Sequence, residues 1–282
     1  MPCTIHSTFM LRGQRGATPR YGERMDTRLV EPATEPRRLI ALEAVHNFRD
    51  LGGYPTLDGR VTRWHMIYRA DGLNRLAGAD LEVVRGLDLK TVIDLRSHAE
   101  LELRGTFPVD EIEVDFSHLP VIDATWQHDQ HLDKSAHEFL GWAYRDMLQV
   151  GAGRFATAIE QLATPGALPA VFHCAAGKDR TGVLAALVLG SLGVPIDVVL
   201  ADYALTANGM ERMQVWAERE LPEMAQRIAN APTAFLAALP EALGEVLDDL
   251  VDEFGSINAY VTSIGVSPAK IESLAVAFLH HP

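Results

Sequence analysis

Residues able to do chemistry concentrate in one stretch, His173-Cys174-Ala175-Ala176-Gly177-Lys178-Asp179-Arg180-Thr181-Gly182. It follows the apolar run Ala170 to Phe172 and leads into a second apolar run, so a strand, a tight loop and a helix start coincide there. Such a junction aims several backbone N–H groups at one point, and the helix N-terminus adds about half a positive charge. A thiol in that field is favoured as its thiolate, which makes Cys174 the candidate nucleophile. Arg180 follows after five intervening residues. A loop that doubles back over that distance returns its planar guanidinium to the same point, where the fork suits two equatorial phosphate oxygens. Ala175, Ala176, Gly177, Lys178, Asp179 and Thr181 are the candidate lining of this anion cradle. Gly177 permits a turn that a side chain would block, while His173 and the Thr181 hydroxyl are placed to orient the sulfur. The parts suit in-line attack of a thiolate on a phosphate monoester, then hydrolysis of the phosphocysteine by water, with no metal and no cofactor.

Other chemistries fit less well. A cysteine closing an apolar strand is by itself an ordinary inert core residue, and Arg180, Thr181 and the glycines change that reading. A nucleotide-binding phosphate loop would need glycine at position 172 and serine or threonine at 179, where the chain has Phe172 and Asp179. A sulfur-transfer or thiol-redox enzyme gives Arg180-Thr181-Gly182 no role and leaves Cys3, the second cysteine, as an implausible resolving thiol. A module that binds phosphoproteins or phosphoinositides without turnover stays as the alternative. The leaving oxygen requires a proton donor on another loop, and the candidates are Asp123, Asp94 and Asp179 in that order. Asp123 follows Leu119-Pro120-Val121-Ile122 on a segment without strong periodicity. Asp94 ends a strand and could instead hold the loop. Lys178 has two readings, contact with a second phosphate or an ion pair with Asp179. His128, His131 and His137 lie among polar residues and read as a solvated loop, not a metal site.

The elements that must position these groups alternate short β-rich runs with helical ones, the habit of a layered α/β fold. Strands are expected at Met66–Arg69, Thr91–Leu95, Ile112–Leu119 and Ala170–His173, with a helix near Asp80 to Arg85 stopping at Gly86. The uncharged stretch Gly182 to Ile196 spans 15 residues, short of the roughly 20 needed to cross a bilayer. Being apolar on most sides, it reads as the central buried helix. After Pro195 the pattern is helical near 196–208, 210–219, 222–228, 233–252, 256–264 and 268–279, so the sheet is expected to finish at His173.

Composition sets the outer bounds. The chain has 282 residues, 48% of them apolar, which is enough for one domain with a substantial core. Its formal charge of −13 argues against a nucleic-acid or anionic-lipid surface, so an anionic ligand must be met locally. Residues 1–38 carry a charge of +3 and leave −16 on the rest. They lack periodicity and a secretory h-region, and read as a flexible tail before a phosphatase domain at 39–282. Two cysteines are too few for a disulfide framework and suit a reducing compartment, with location in the cytoplasm or export without a recognisable signal.

The loop also resembles the signature of the cysteine-dependent protein tyrosine phosphatase superfamily: His-Cys, five residues, Arg, then Ser or Thr. His173-Cys174-x-x-Gly177-Lys178-Asp179-Arg180-Thr181-Gly182 is similar to the form found in bacterial tyrosine and dual-specificity phosphatases related to secreted mycobacterial and listerial enzymes. Asn47-Phe48-Arg49-Asp50-Leu51-Gly52-Gly53, Tyr68-Arg69-Ala70 and Ile93-Asp94-Leu95-Arg96-Ser97 resemble further motifs of that group, in order, over about Leu39 to Leu279. On its residues alone, 47–53 reads as a glycine turn pinned by a buried pair of Arg49 or Asp50, with active-site lining as the other option. The resemblance implies a mostly parallel sheet between helices, a helical C-terminal part with a lid near 210–240, and phosphotyrosine, phosphoserine, phosphothreonine or inositol-lipid substrates. It implies neither a nucleic-acid partner nor an integral membrane segment.

Overall fold

Residues 31–122, 134–231 and 236–282 are described in the computed structural model. Its strands are β1 (Arg49–Asp50), β2 (Val61–Thr62), β3 (Ile67–Ala70), β4 (Thr91–Asp94), β5 (Asp115–His118), β6 (Ala170–His173) and β7 (Leu279–His280). The main sheet has the order β1-β3-β6-β4-β5; β1 is antiparallel to β3 and the other pairings are parallel. Strands β3, β4 and β6 are buried throughout, and their side chains alternate between two apolar layers as the pleat requires. Ile67, Ile93 and Phe172 enter the larger layer, whereas Tyr68, Val92 and Val171 enter the smaller.

The smaller layer is closed by α1 (Ala79–Arg85) and by the chain around Val45 and Phe48. Helix α2 (His98–Arg104) follows β4 and opens with a capping box, Ser97 and Glu100 each bonding the other's backbone. The larger layer is closed by α3 (Ala136–Val150), α4 (Ala152–Leu162), α5 (Asp179–Ser191) and α6 (Ile196–Ala204), together with α9 (Pro240–Phe254), α10 (Ile257–Ser263) and α11 (Pro268–Phe278). Between them, α7 (Thr206–Glu220) and α8 (Pro222–Ala229) lie at the surface. Helix α5 is buried from Thr181 to Leu189, the place expected of the central helix. Each apolar side chain it buries contributes roughly 1.5–3 kcal/mol. No helix among the described residues is long and apolar enough to cross a membrane.

The structure corrects several expected boundaries. The sheet-forming chain does not end at His173, because Leu279–His280 returns to pair with Val61–Thr62 in a two-stranded ribbon. The strand expected over Ile112–Leu119 is confined to Asp115–His118, since its partner among the described residues, β4, offers four residues. The helix expected from 233 begins at Pro240, whose ring is suited to a first turn and not to a helix interior; 232–235 lie outside the described residues. Residues before Leu39 also pack on this body. Ala33 is buried, and the Arg38 guanidinium stacks on Tyr54 and Trp64 while donating to the Asp50 and Gly52 carbonyls at 2.6 and 2.7 Å.

Candidate active site

The C-terminal ends of β3, β4 and β6 converge, as carboxyl ends of parallel strands do around a ligand crevice. The chain leaves β6 at His173, turns through 174–178 and enters α5 at Asp179. Three carbonyls of this loop are tied to neighbouring chain. Ala175 O accepts from Gly72 N at 3.2 Å, and Ala176 O from Asn47 Nδ2 at 3.1 Å. Gly177 O accepts from Asn47 Nδ2 at 3.0 Å and from Arg69 Nη2 at 2.8 Å. In a trans peptide the following N–H points the opposite way, so anchoring these carbonyls turns the succeeding amides away from their anchors. Gly177 makes the turn possible: its φ is +65°, and a Cβ would lie 2.6 Å from Ala70 O.

Cys174 stands at the base of the loop, only 2% exposed. Arg180, in the first turn of α5, donates through Nη1 and Nη2 to the two Glu100 carboxylate oxygens at 2.5 and 2.9 Å. Burial opposes both charges, yet the pairing outweighs it: the Arg180 pKa is raised, and Glu100 is pushed down to about 2. Glu100 is therefore a carboxylate that aims the guanidinium. Its capping-box position is legible in the sequence, whereas its contact with a residue 80 positions away is not.

The three aspartates have different surroundings. Asp94 is fully buried and bonded to Arg96 through Nε, Nη2 and the backbone N–H, with His173 Nε2 3.6 Å from its carboxylate. Burial favours its neutral form, but His173 and Arg96 prevail and hold its pKa below the ordinary value. A carboxylate kept ionised in this way is a poor proton donor; the geometry favours the loop-holding alternative. Asp179 accepts from Tyr144 Oη at 2.8 Å and keeps part of its side chain exposed. Asp123, with His128 and His131, lies outside the described residues. His137 stands 3.5 Å from Glu245, and among the described residues no cluster of His, Cys, Asp or Glu suits a metal ion.

Lys178 is buried at 1% exposure, its Nζ donating to Ala237 O at 3.0 Å and lying 3.5 Å from Asp179. Of its two expected roles, this arrangement matches the ion pair. The expected hydrogen bond from Thr181 to sulfur is not made: its hydroxyl is buried without a partner among the described residues. His173 Nδ1 lies 3.3 Å from Cys174 O, and burial lowers the ring's pKa. The turn at 47–53 is pinned as expected by a buried pair: Arg49 meets Asp202 at 3.0 Å, while Asp50 accepts from Gly52 N and His65 N, each at 2.7 Å. Asp202 had no place among the candidates. Its signal was an acid in the last turn of the apolar helix Ile196–Ala204, on the buried side, unlike Asp197 in the first turn.

A strand-to-helix loop with its carbonyls anchored, a cysteine at its base and an arginine aimed from the first helical turn define an anion-binding site of the phosphatase kind. The model of the tyrosine phosphatase family matches residues 40–280, and the chain belongs to that family. A tyrosine-protein phosphatase of Nostoc commune is 28% identical over 214 residues, covering 74% of this chain and 72% of the relative. The triple specificity protein phosphatase PtpB of Mycobacterium tuberculosis is 28% identical over 270 residues, covering 83% and 96%. Among solved structures, TpbA of P. aeruginosa aligns with 61% of this chain and 91% of its own at 18% identity, with a TM-score of 0.28.

Proposed function

We propose that this phosphatase hydrolyses phosphate monoesters through a phosphocysteine on Cys174. The observation that carries the reading is the anchored loop: Ala175, Ala176 and Gly177 carbonyls are bonded away, leaving the succeeding amides, Cys174 and Arg180 to serve one anion. In the first step the thiolate attacks phosphorus, the S–P bond forms and the P–O bond to the leaving group breaks. Charge on the equatorial oxygens is met by the loop amides and by Arg180, which carries five N–H groups and uses two on Glu100. In the second step water attacks phosphorus, releasing inorganic phosphate and the thiolate. We assign the leaving-group proton to Asp123, because Asp94 is locked to Arg96 and Asp179 is engaged by Tyr144 and Lys178.

The proposed substrates are phosphotyrosine first, with phosphoserine, phosphothreonine and phosphoinositides as extensions suggested by a relative named for triple specificity. A second substrate phosphate would reach Lys178 only if its Nζ left Ala237 O. The deciding experiment is Cys174→Ser, assayed on p-nitrophenyl phosphate and phosphotyrosine peptides. Turnover should fall at least about a thousandfold while phosphopeptide binding persists. Near-normal turnover would rule out the covalent route. A wild-type enzyme that binds phosphopeptide without hydrolysing either substrate would favour the binding-module alternative.

A further inference from the structure

Beneath the loop lies a buried charge cluster with an imbalance. Asp202 of α6 receives Arg49 Nε on Oδ1 at 3.0 Å and Arg69 Nη1 on Oδ2 at 2.7 Å, with the Tyr54 hydroxyl also on Oδ1 at 2.9 Å. The side chains of Arg49, Arg69 and Asp202 are all at most 4% exposed. Two guanidinium groups thus share one carboxylate, leaving a net positive charge inside the protein. Arg69 has an additional cost, because its buried Nε has no hydrogen-bond partner among the described residues. Fold stability supplies little reason for this, since a buried ionic group is often replaceable by an apolar one of similar volume without loss.

The location supplies a reason. The other fork of Arg69 holds Gly177 O at 2.8 Å, which sets its guanidinium against the loop that carries Cys174. Arg49 acts one residue further away, donating to Asn47 Oδ1 while Asn47 Nδ2 holds the Ala176 and Gly177 carbonyls. The missing counter-charge is then the anion of the site itself, thiolate or bound phosphate. We propose that Arg69, oriented by Asp202, is a positioning residue that presets the phosphate loop from below and supplies a second cation for the Cys174 thiolate. This rests on the covalent reading above. It adds a residue that never touches substrate to the determinants of the reaction.

The test compares Arg69→Met and Arg69→Lys with wild type and Cys174→Ser. Arg69→Met leaves Gly177 O bonded to Asn47 and Asp202 bonded to Arg49, so the fold keeps its partners. Its melting temperature should stay within a few degrees of wild type, while kcat on p-nitrophenyl phosphate falls at least about tenfold and vanadate inhibition weakens by a similar factor. The pH profile for iodoacetamide alkylation of Cys174 should move upward by about one unit. Arg69→Lys restores charge without the fork, so it should recover much of the alkylation profile but not the vanadate affinity. Folded Arg69→Met with kcat and vanadate inhibition within about twofold of wild type overturns the proposal. So does a loss of activity that follows a fall in melting temperature with the alkylation profile unmoved. If Arg69→Met does not fold, Arg69→Lys decides, and vanadate inhibition within about twofold of wild type overturns the proposal. Turnover surviving in Cys174→Ser is a different failure, that of the covalent reading.

Discussion

The underside of the phosphate loop and the surface helix α7 both meet the segment around His46 and Asn47, yet they are held in different ways. Below the loop, Asn47, Arg69, Arg49 and Asp202 make charged or amide hydrogen bonds in a buried setting, and each contact fixes another. Helix α7 buries a stripe, Thr206, Gly209, Met213 and Ala217, and α8 contributes no buried residue among its described side chains. The attachment of α7 near the site includes Arg49 Nη2 donating to Thr206 Oγ1 at 3.3 Å, Gly209 packed on Asn47, Arg212 donating to His46 O at 2.8 Å and Trp216 lying against His46 and Arg75. The difference separates two tasks. A cradle for a transition state gains from parts that need no reorganisation, whereas a surface that meets varied substrates gains from shallow attachment.

The strongest test of that contrast is Gly177→Ala. A side chain there must accept a φ of +65° and displace Ala70 O from 2.6 Å, so we expect a stability loss of about 2–4 kcal/mol in denaturant unfolding and loss of most turnover. A fully active, equally stable Gly177→Ala enzyme would mean the loop is not rigidly held. Glu100→Gln should act next, reducing kcat roughly tenfold to a hundredfold by releasing Arg180 from its aim. Glu100 also sets a pH window. Its pKa is lowered from 4.5 to about 2, so its stabilisation is complete above pH 4.5 and is lost as pH falls toward 2. Unfolding curves of wild type should therefore drop more steeply across that window than those of Glu100→Gln. The smallest effect is expected at the outer helices. Val215 and Leu221, 61% and 44% exposed, should tolerate alanine within about 0.5 kcal/mol and with unchanged kcat on p-nitrophenyl phosphate. A large loss there would show that α7 and α8 belong to the cradle.

Local signals were strong where local chemistry decides. Strand Ala170–His173, the turn at Gly177 and the start of the central helix follow from an apolar run, a glycine and a second apolar run within a few residues, and the structure has them where the sequence indicates. The helical character after Pro195 was legible for the same reason, although Leu205 divides α6 from α7 in a way no proline or glycine announces. The pairings of Arg49 with Asp202 and of Arg180 with Glu100 were not legible. Their partners are separated by 153 and 80 residues, and nothing in residue type tells which of many arginines a given acid will meet.

The sequence by itself determined the layered α/β class, the loop that presents Cys174 and Arg180, and the buried helix behind it, because these depend on periodicity and on backbone preferences over short spans. Tertiary structure decided the roles around them. It bound Asp94 to Arg96, turned Lys178 toward Ala237 and Asp179, and brought Arg69 and Asp202 beneath the loop. The physical reason is that a charge's behaviour is set by what surrounds it in a low-dielectric interior, and those neighbours come from distant parts of the chain.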